Sequence, residues 1–252
     1  MKRNDYGSLC TEMYEILHPQ APEDEMEFYL SYDRKGQRML EPMCGSGRFL
    51  APFMEKGYDI WGMDASEEML EKLRAKAPGA KADRCTLEDY RPGVQFDYIF
   101  IPSGSICLFT DGEQLAGVLR KLRELMNPEG RLVFAVDTVA CVCPDDGEYR
   151  KNLTVSTPEG LEIALWSKNR YDAQTQTQYS PGRYVLSRAG EELRREEMDF
   201  QTHLYRMGEM DALLEQAGFT QIKAYGGYDK SPAEAAEGEM LLYECRAGEK
   251  QI

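Results

Sequence analysis

Glu41, Gly45, Gly47 and Asp64 are the residues of this chain whose types and spacing suit them to chemistry. They stand in the run Met39-Leu40-Glu41-Pro42-Met43-Cys44-Gly45-Ser46-Gly47-Arg48-Phe49-Leu50, followed by Ile60-Trp61-Gly62-Met63-Asp64. An acidic residue, a glycine turn and a second acidic residue at about twenty residues' distance make a nucleoside-binding fingerprint. A dinucleotide site uses three glycines, the third for close helix packing, and here that position holds Leu50, so the pattern departs from the NAD type. Glu41 departs further: a carboxylate before the loop repels a pyrophosphate at the helix N-terminus and favours a cationic ligand. Gly45 and Gly47 let the backbone turn tightly and approach a ligand with no Cβ in the way. Asp64, ending the next strand, can accept from both ribose hydroxyls, each charge-assisted bond contributing roughly 1.5–3 kcal/mol.

S-adenosylmethionine carries an ammonium, a sulfonium and no phosphate, which suits this loop. On these residues the chain resembles the class I S-adenosylmethionine-dependent methyltransferases of small-molecule type, whose first motif places an acidic residue before Gly-x-Gly. The resemblance implies an α/β, Rossmann-like, doubly wound sheet of seven strands, mostly parallel with the last antiparallel. It implies S-adenosylmethionine as cofactor, S-adenosylhomocysteine as product, and cofactor contacts from Glu41, Met43, Cys44, Gly45, Gly47, Asp64, Ala65 and Met69. Relatives usually form the adenine pocket with an Asp after the third strand and a following main-chain amide. In Arg84-Cys85-Thr86-Leu87-Glu88-Asp89-Tyr90 that place falls to Thr86 and the Leu87 amide, with Asp89 as the alternative. Ile101-Pro102-Ser103-Gly104-Ser105-Ile106, after the fourth strand, faces cofactor and substrate, which adds Ile101 and Ser103. It is not an Asn/Asp-Pro-Pro-aromatic motif, which disfavours methylation of an exocyclic base nitrogen or a glutamine amide.

The elements that must position these residues alternate as a parallel sheet with covering helices requires. Strands are expected at 38–41, 58–64, 80–85, 96–101 and 131–136, and two more at 220–224 and 240–245. Phe96-Asp97-Tyr98-Ile99-Phe100-Ile101 is nearly continuous in apolar character, as a strand covered on both faces must be. Helices are expected at 48–56, after the Ser66 cap, from the Thr110-Asp111-Gly112-Glu113 capping box to Met126, and at 210–216 before Gly218. Asn127-Pro128-Glu129-Gly130 reads as a turn.

This divides the chain into a cofactor-binding core over 37–138, completed by 207–252, and two additions. Residues 1–36 carry Tyr6, Leu9, Met13, Tyr14, Ile16 and Leu17 at roughly helical spacing. In related enzymes such a segment is a lid whose tyrosines touch the sulfonium end, which makes Tyr14 a cofactor contact or a core filler. Residues 139–206 read as three or four antiparallel strands, a substrate cap that closes over the methyl group and excludes water. Trp166, Tyr171, Tyr184 and Arg206 are its candidate substrate wall, or simply its core.

Methyl transfer is an in-line displacement whose leaving group departs neutral, so alignment dominates and supplies on the order of 7–11 kcal/mol. A base is needed only if the nucleophile loses a proton, and His203, beside Tyr205 and Arg206, is the candidate catalytic residue. His18, in His18-Pro19, reads as the end of the amino-terminal helix. Cys141-Val142-Cys143 points its thiols to opposite faces of a strand and has no second Cys/His pair, so no metal is expected. Cys44 sits where a helix N-terminus lowers a thiol pKa, or serves packing.

Composition bounds the partners. The 252 residues suit one large α/β domain with embellishments, and a formal net charge of −14 with a pI near 4.7 repels phosphate backbones. A small-molecule acceptor is therefore expected, nucleic acid is disfavoured, and the oligomeric state is monomer or homodimer. Seven cysteines, no secretion segment after Met1-Lys2-Arg3-Asn4-Asp5 and no membrane-length apolar run point to a reduced cytoplasmic setting. Two other functions stay open. One is an RNA or protein methyltransferase, for which Arg183, Arg188, Arg194 and Arg195 offer charge that Glu191, Glu192, Glu196 and Glu197 interrupt. The other is an S-adenosylmethionine-binding module without catalysis.

Overall fold

The computed structural model describes residues 4, 6–233 and 238–248. Residues 1–3 and 5, read above for the lack of a secretion segment, and 249–252 lie outside the described residues. In chain order come α1 (Ser8–Leu17), α2 (Glu23–Leu30), β1 (Arg38–Pro42), α3 (Leu50–Glu55), β2 (Asp59–Asp64), α4 (Glu67–Lys76) and β3 (Lys81–Arg84). Then follow β4 (Phe96–Ile101), α5 (Gly112–Leu125), β5 (Met126–Asp137), β6 (Arg150–Ser156), β7 (Glu162–Ser167), β8 (Arg170–Asp172) and β9 (Thr177–Tyr179). The chain closes with β10 (Gly182–Arg188), β11 (Glu191–Met198), β12 (Gln201–His203), α6 (Glu209–Gln216), β13 (Thr220–Tyr225) and β14 (Met240–Arg246).

Seven strands form the main sheet in the order β13-β14-β5-β4-β1-β2-β3. β1 to β5 pair in parallel, and β14 runs antiparallel to both β5 and β13, so six strands share one direction and one opposes them. This is the doubly wound arrangement expected from the sequence. Alternation within β4 explains its position: Ile99 and Ile101 join a core with Leu115, Leu119 and Leu122 of α5, while Tyr98 and Phe100 join a second core with Phe28, Phe53 and Leu70 on the opposite face. Helix α4 starts where Ser66 caps it, Oγ accepting from Met69 N at 3.1 Å.

Three local expectations change. The helix after the glycine turn begins at Leu50 rather than Arg48, because Gly45 (φ 52°) and Gly47 (φ 79°) hold the chain in left-handed conformations up to it. The N-cap of α5 is Asp111, not Thr110: Asp111 Oδ1 accepts from Gln114 N at 2.8 Å, so no Thr-Glu capping box forms. The Asn127–Gly130 turn is absorbed into β5 as an irregularity opposite Phe96 and Tyr98, with Asn127 Nδ2 donating to Asp97 Oδ1.

Between β5 and α6 the chain makes an excursion that leaves and returns at one point, since Tyr205 N donates to Asp137 O at 2.9 Å and Val139 N to Tyr205 O at 3.1 Å. The excursion holds seven strands instead of the expected three or four, in a four-stranded sheet ordered β11-β10-β7-β6 and a three-stranded sheet ordered β12-β9-β8. β8, β9 and β12 have three residues each, too few to show a period of two, and the charged run of β11 hides its strand character on an exposed edge. Helix α1 packs on the four-stranded sheet, where Leu9, Cys10 and Met13 meet Val155, Ile163, Tyr184 and Met198. Among the described residues no helix is long and apolar enough to cross a membrane.

Candidate active site

The site begins at the end of β1, where the chain turns under its own glycines. A Cβ on Gly47 would lie 2.3 Å from Leu73 Cδ1, so only glycine lets the loop pass this close to α4. The loop is then fastened to β2: Gly45 N donates to Asp64 Oδ2 and Ser66 N to Asp64 Oδ1, each at 2.8 Å. Asp64 thus orients both the glycine turn and the start of α4. A carboxylate offers about four acceptor positions, so each oxygen keeps a lone pair for a further donor. Ser66 Oγ also donates to Tyr6 O at 2.9 Å, tying the amino-terminal segment to the same corner.

A cavity of about 680 Å³ opens there, over the carboxyl ends of β1, β2 and β4. Of the residues singled out from the sequence, Tyr14, Met43, Gly45, Asp64, Ala65, Met69, Thr86, Leu87 and Ser103 line it. Glu41, Cys44 and Ile101 are instead buried in the layer beneath, at 2%, 4% and 0% exposure, and Gly47 is outside the wall. Asp89, the alternative adenine contact, is likewise outside the wall and accepts from Thr86 Oγ1 at 3.0 Å.

Charge is concentrated at the Arg48 end. Its Nη2 donates to Ser103 Oγ at 2.5 Å, and its guanidinium carbon is 5.7 Å from the centroid of the Tyr14 ring. Ser103 has a φ of 56°, unusual for a residue other than glycine, and Glu25 of α2 holds it there by accepting from Ser103 N at 2.9 Å and from Ser103 Oγ at 3.1 Å. Burial raises the Glu25 carboxyl, against the lowering pull of those bonds and of Arg48. Burial also lifts Glu41 well above the ordinary carboxylate range, with Arg48 opposing, and raises Asp64 against the bonds from Ser66 and Gly45. One oxygen of Glu41 and the Nε of Arg48 are buried without a partner. Such orphaned groups, one acidic and one basic, beside a cavity walled by Met63, Met69, Leu87 and Phe109, fit an adenosyl ligand with charged groups at one end.

Several sequence expectations are not brought together. His203 is absent from the cavity wall: its Nε2 lies 2.7 Å from Glu209 Oε1, and Gln176 Nε2 donates to Glu209 Oε2 at 2.6 Å. Burial pushes the Glu209 carboxyl up, yet the bonds from His203, the Arg206 amide and Gln176 outweigh it and bring the group down to about 2. Trp166 is 37% exposed on β7, and Tyr171 and Arg206 also lie away from the cavity. Tyr184 is buried and lines a second, smaller cavity. Burial pushes the Cys44 thiol well up, with Glu41 and Asp64 adding to it, the reverse of a helix-activated thiolate. All seven cysteines are unpaired, and among the described residues no cluster of three His, Cys, Asp or Glu could hold a metal.

Tyr6, read as one of the lid's tyrosines, also lines the cavity, while sequence reasoning missed His18, Arg48 and Gln114 in its wall and Glu25 behind it. His18 caps the end of α1 with its ring 4.9 Å from that of Tyr14, and burial with the nearby Arg48 lowers its imidazole pKa. The position of Arg48 next to Gly47 was a usable signal. Nothing local marks Glu25 or His18, which arrive through the packing of α1 and α2.

Comparison with known proteins agrees with this geometry. Residues 40–132 match the family model of a methyltransferase domain. A protein of Geobacillus sp. (strain WCH70) whose name carries the word methyltransferase is 24% identical over 238 residues, 89% of this chain and 93% of that protein. The dTDP-3-amino-3,4,6-trideoxy-alpha-D-glucopyranose N,N-dimethyltransferase of Streptomyces venezuelae is 23% identical over 129 residues, 51% of this chain and 49% of that one. An S-adenosylmethionine-dependent methyltransferase from Clostridium acetobutylicum ATCC 824 shares the fold with a TM-score of 0.75 at 13% identity, covering 94% of this chain and 96% of that one. The chain thus carries a methyltransferase domain over residues 40–132, and in strand order and in its acidic-loop-acidic corner it resembles the class I S-adenosylmethionine-dependent methyltransferases.

Proposed function

We propose that the enzyme methylates a small molecule inside a closed site. The observation that carries this reading is that α1 lies between the cofactor cavity and the excursion sheet, contributing Tyr14 to the one and Leu9, Cys10 and Met13 to the other. An acceptor here enters a pocket rather than lying along an exposed strip. In this reading residues 1–36 are the lid and 139–206 the substrate cap on a core of 37–138 and 207–252. The acidic net charge and the seven unpaired thiols support a phosphate-free acceptor and a reduced cytoplasmic setting.

The residues divide the work by position. S-adenosylmethionine, when bound, supplies a methyl group on a sulfonium that leaves as a neutral thioether. Asp64 takes the ribose hydroxyls on its remaining lone pairs, Thr86 and Leu87 take the adenine, and Gly45 and Met43 meet the amino-acid end. Arg48, steadied by Ser103 and Glu25, pairs with the cofactor's carboxylate, and Glu41 balances its ammonium. Tyr6 and Tyr14 keep water from the methyl side. Where the acceptor must lose a proton, His18 takes it, because it lines the cavity and its lowered pKa leaves it neutral at neutral pH. His203, held against Glu209, is a structural residue.

The test is release of S-adenosylhomocysteine on incubation with S-adenosylmethionine and, separately, a small-metabolite panel, total RNA and total denatured protein. Turnover is expected with at least one metabolite. Turnover confined to RNA or protein would favour the macromolecular alternative, and tight cofactor binding without turnover on any of them would favour a non-catalytic module.

A further inference from the structure

A second cavity, of about 260 Å³, lies between α1 and the four-stranded sheet and shares Tyr6, Tyr14 and His18 with the wall of the first. Those three side chains line both spaces, so the two cavities meet at them. On the far side the second cavity is walled by Cys10, Met13 and Leu17 from α1 and by Leu153, Leu165 and Met198 from the sheet. Among the described residues its wall holds no Lys, Arg, Asp or Glu. The Ser180 hydroxyl in that wall is already committed, donating to Asn169 Oδ1 at 2.8 Å, and Tyr184 is hydrogen-bonded to Cys10.

We infer that this second cavity is the acceptor pocket, and that it takes a compact, uncharged, largely apolar nucleophile of one or two rings. The inference rests on the methyltransferase reading of the first cavity and adds the acceptor's class to it. Size fits the class: an apolar cavity of about 150 Å³ holds a benzene ring, so about 260 Å³ accommodates a bicyclic molecule. Charge sets the class. A nucleotide-linked sugar brings a diphosphate, which needs cationic or bidentate partners. Among the described residues the second cavity offers none, and Arg48, the one arginine lining the first, is bonded to Ser103 with Glu25 behind it. The field of a chain with net charge −14 opposes a polyanion as well. Nucleotide sugars, the substrate class of the Streptomyces venezuelae relative, therefore find no lysine or arginine for their diphosphate in this wall among the described residues.

2-Naphthol is a suitable probe, being bicyclic, neutral, fluorescent and nucleophilic at oxygen. Binding of S-adenosylhomocysteine is measured first by calorimetry, and the loaded protein is then titrated with 2-naphthol. Saturable one-to-one binding is expected, unaffected by millimolar thymidine diphosphate. Leu17→Trp fills the pocket from the exposed end of α1, and Leu153→Phe fills it from β6. Each should weaken 2-naphthol at least tenfold while leaving S-adenosylhomocysteine affinity and melting temperature unchanged. Failure of 2-naphthol to bind, native-like 2-naphthol affinity in both variants, or displacement by thymidine diphosphate would overturn the inference and leave the cofactor reading intact. Failure of S-adenosylhomocysteine itself to bind would overturn both.

Discussion

Glu41 sits 2% exposed at the end of β1, and burial lifts its carboxyl well above the ordinary range while Arg48 pulls the other way. In the unfolded chain this group ionises near its usual 4.5. Its stabilising contribution is therefore complete below that pH and is lost as pH rises toward the folded-state value, because the unfolded chain gives up a proton that the fold retains. The cofactor-free protein should lose up to about 1.4 kcal/mol of stability per pH unit from this group alone. Glu41→Gln abolishes that slope. In thermal melts without cofactor the variant should gain on the native protein between pH 5 and pH 8, and its S-adenosylmethionine affinity should fall at least tenfold. A stability difference that does not change with pH would mean that Glu41 is already ionised in the empty fold. A carboxyl that costs stability in the empty protein and gains a cationic partner on binding is the kind of compromise expected at a functional site.

Helix α1, which walls both cavities, is held from outside itself. Its N-cap Gly7 offers no side chain, and the first turn contains no acidic residue. Glu196 of β11 fills that role from across the structure, accepting from Leu9 N at 2.8 Å and from Ser8 Oγ at 3.0 Å, with Arg194 bonded to both Ser8 and Glu196. A negative charge against the free amides of a helix N-terminus is favourable on both hydrogen-bonding and dipole grounds. Glu196→Ala should destabilise the protein by about 1–2 kcal/mol in urea denaturation. It should also raise the dissociation constant for S-adenosylhomocysteine several-fold, because Tyr6 and Tyr14 lose their support. Unchanged stability and affinity would show that apolar packing alone positions α1. The same element shows why part of the site was hidden in the sequence. The glycine turn, Asp64 and the Ser66 cap are contiguous with the strands and helices they serve, so spacing reveals them. Glu25, His18 and Glu196 act on partners 78 or more residues away or across a cavity, and a single sequence carries no record of those meetings.

Over the whole molecule, the main sheet was legible because each of its strands carries its own period and its own punctuation, from the continuous apolar run of β4 to the Gly218 stop after α6. The excursion was not, because three-residue strands and the charged edge strand β11 derive their structure from neighbours. The surroundings of His203 were illegible for the same reason: it has the chemical type of a base, but its neighbours in space are Gln176 and Glu209, and it does not line the cavity. All of these elements meet at one corner, where a glycine turn and the Asp64 carboxylate face a cavity suited to a cationic adenosyl ligand and the buried Glu41 lies beneath it. Calorimetric titration with S-adenosylhomocysteine and with NAD, on the native protein and on Asp64→Ala, tests that corner directly. One-to-one binding of S-adenosylhomocysteine is expected, weakened at least tenfold by the substitution, a loss of about 1.4 kcal/mol or more, with no heat from NAD. Binding of NAD in place of S-adenosylhomocysteine, or an Asp64→Ala variant that binds as tightly as the native protein, would contradict it.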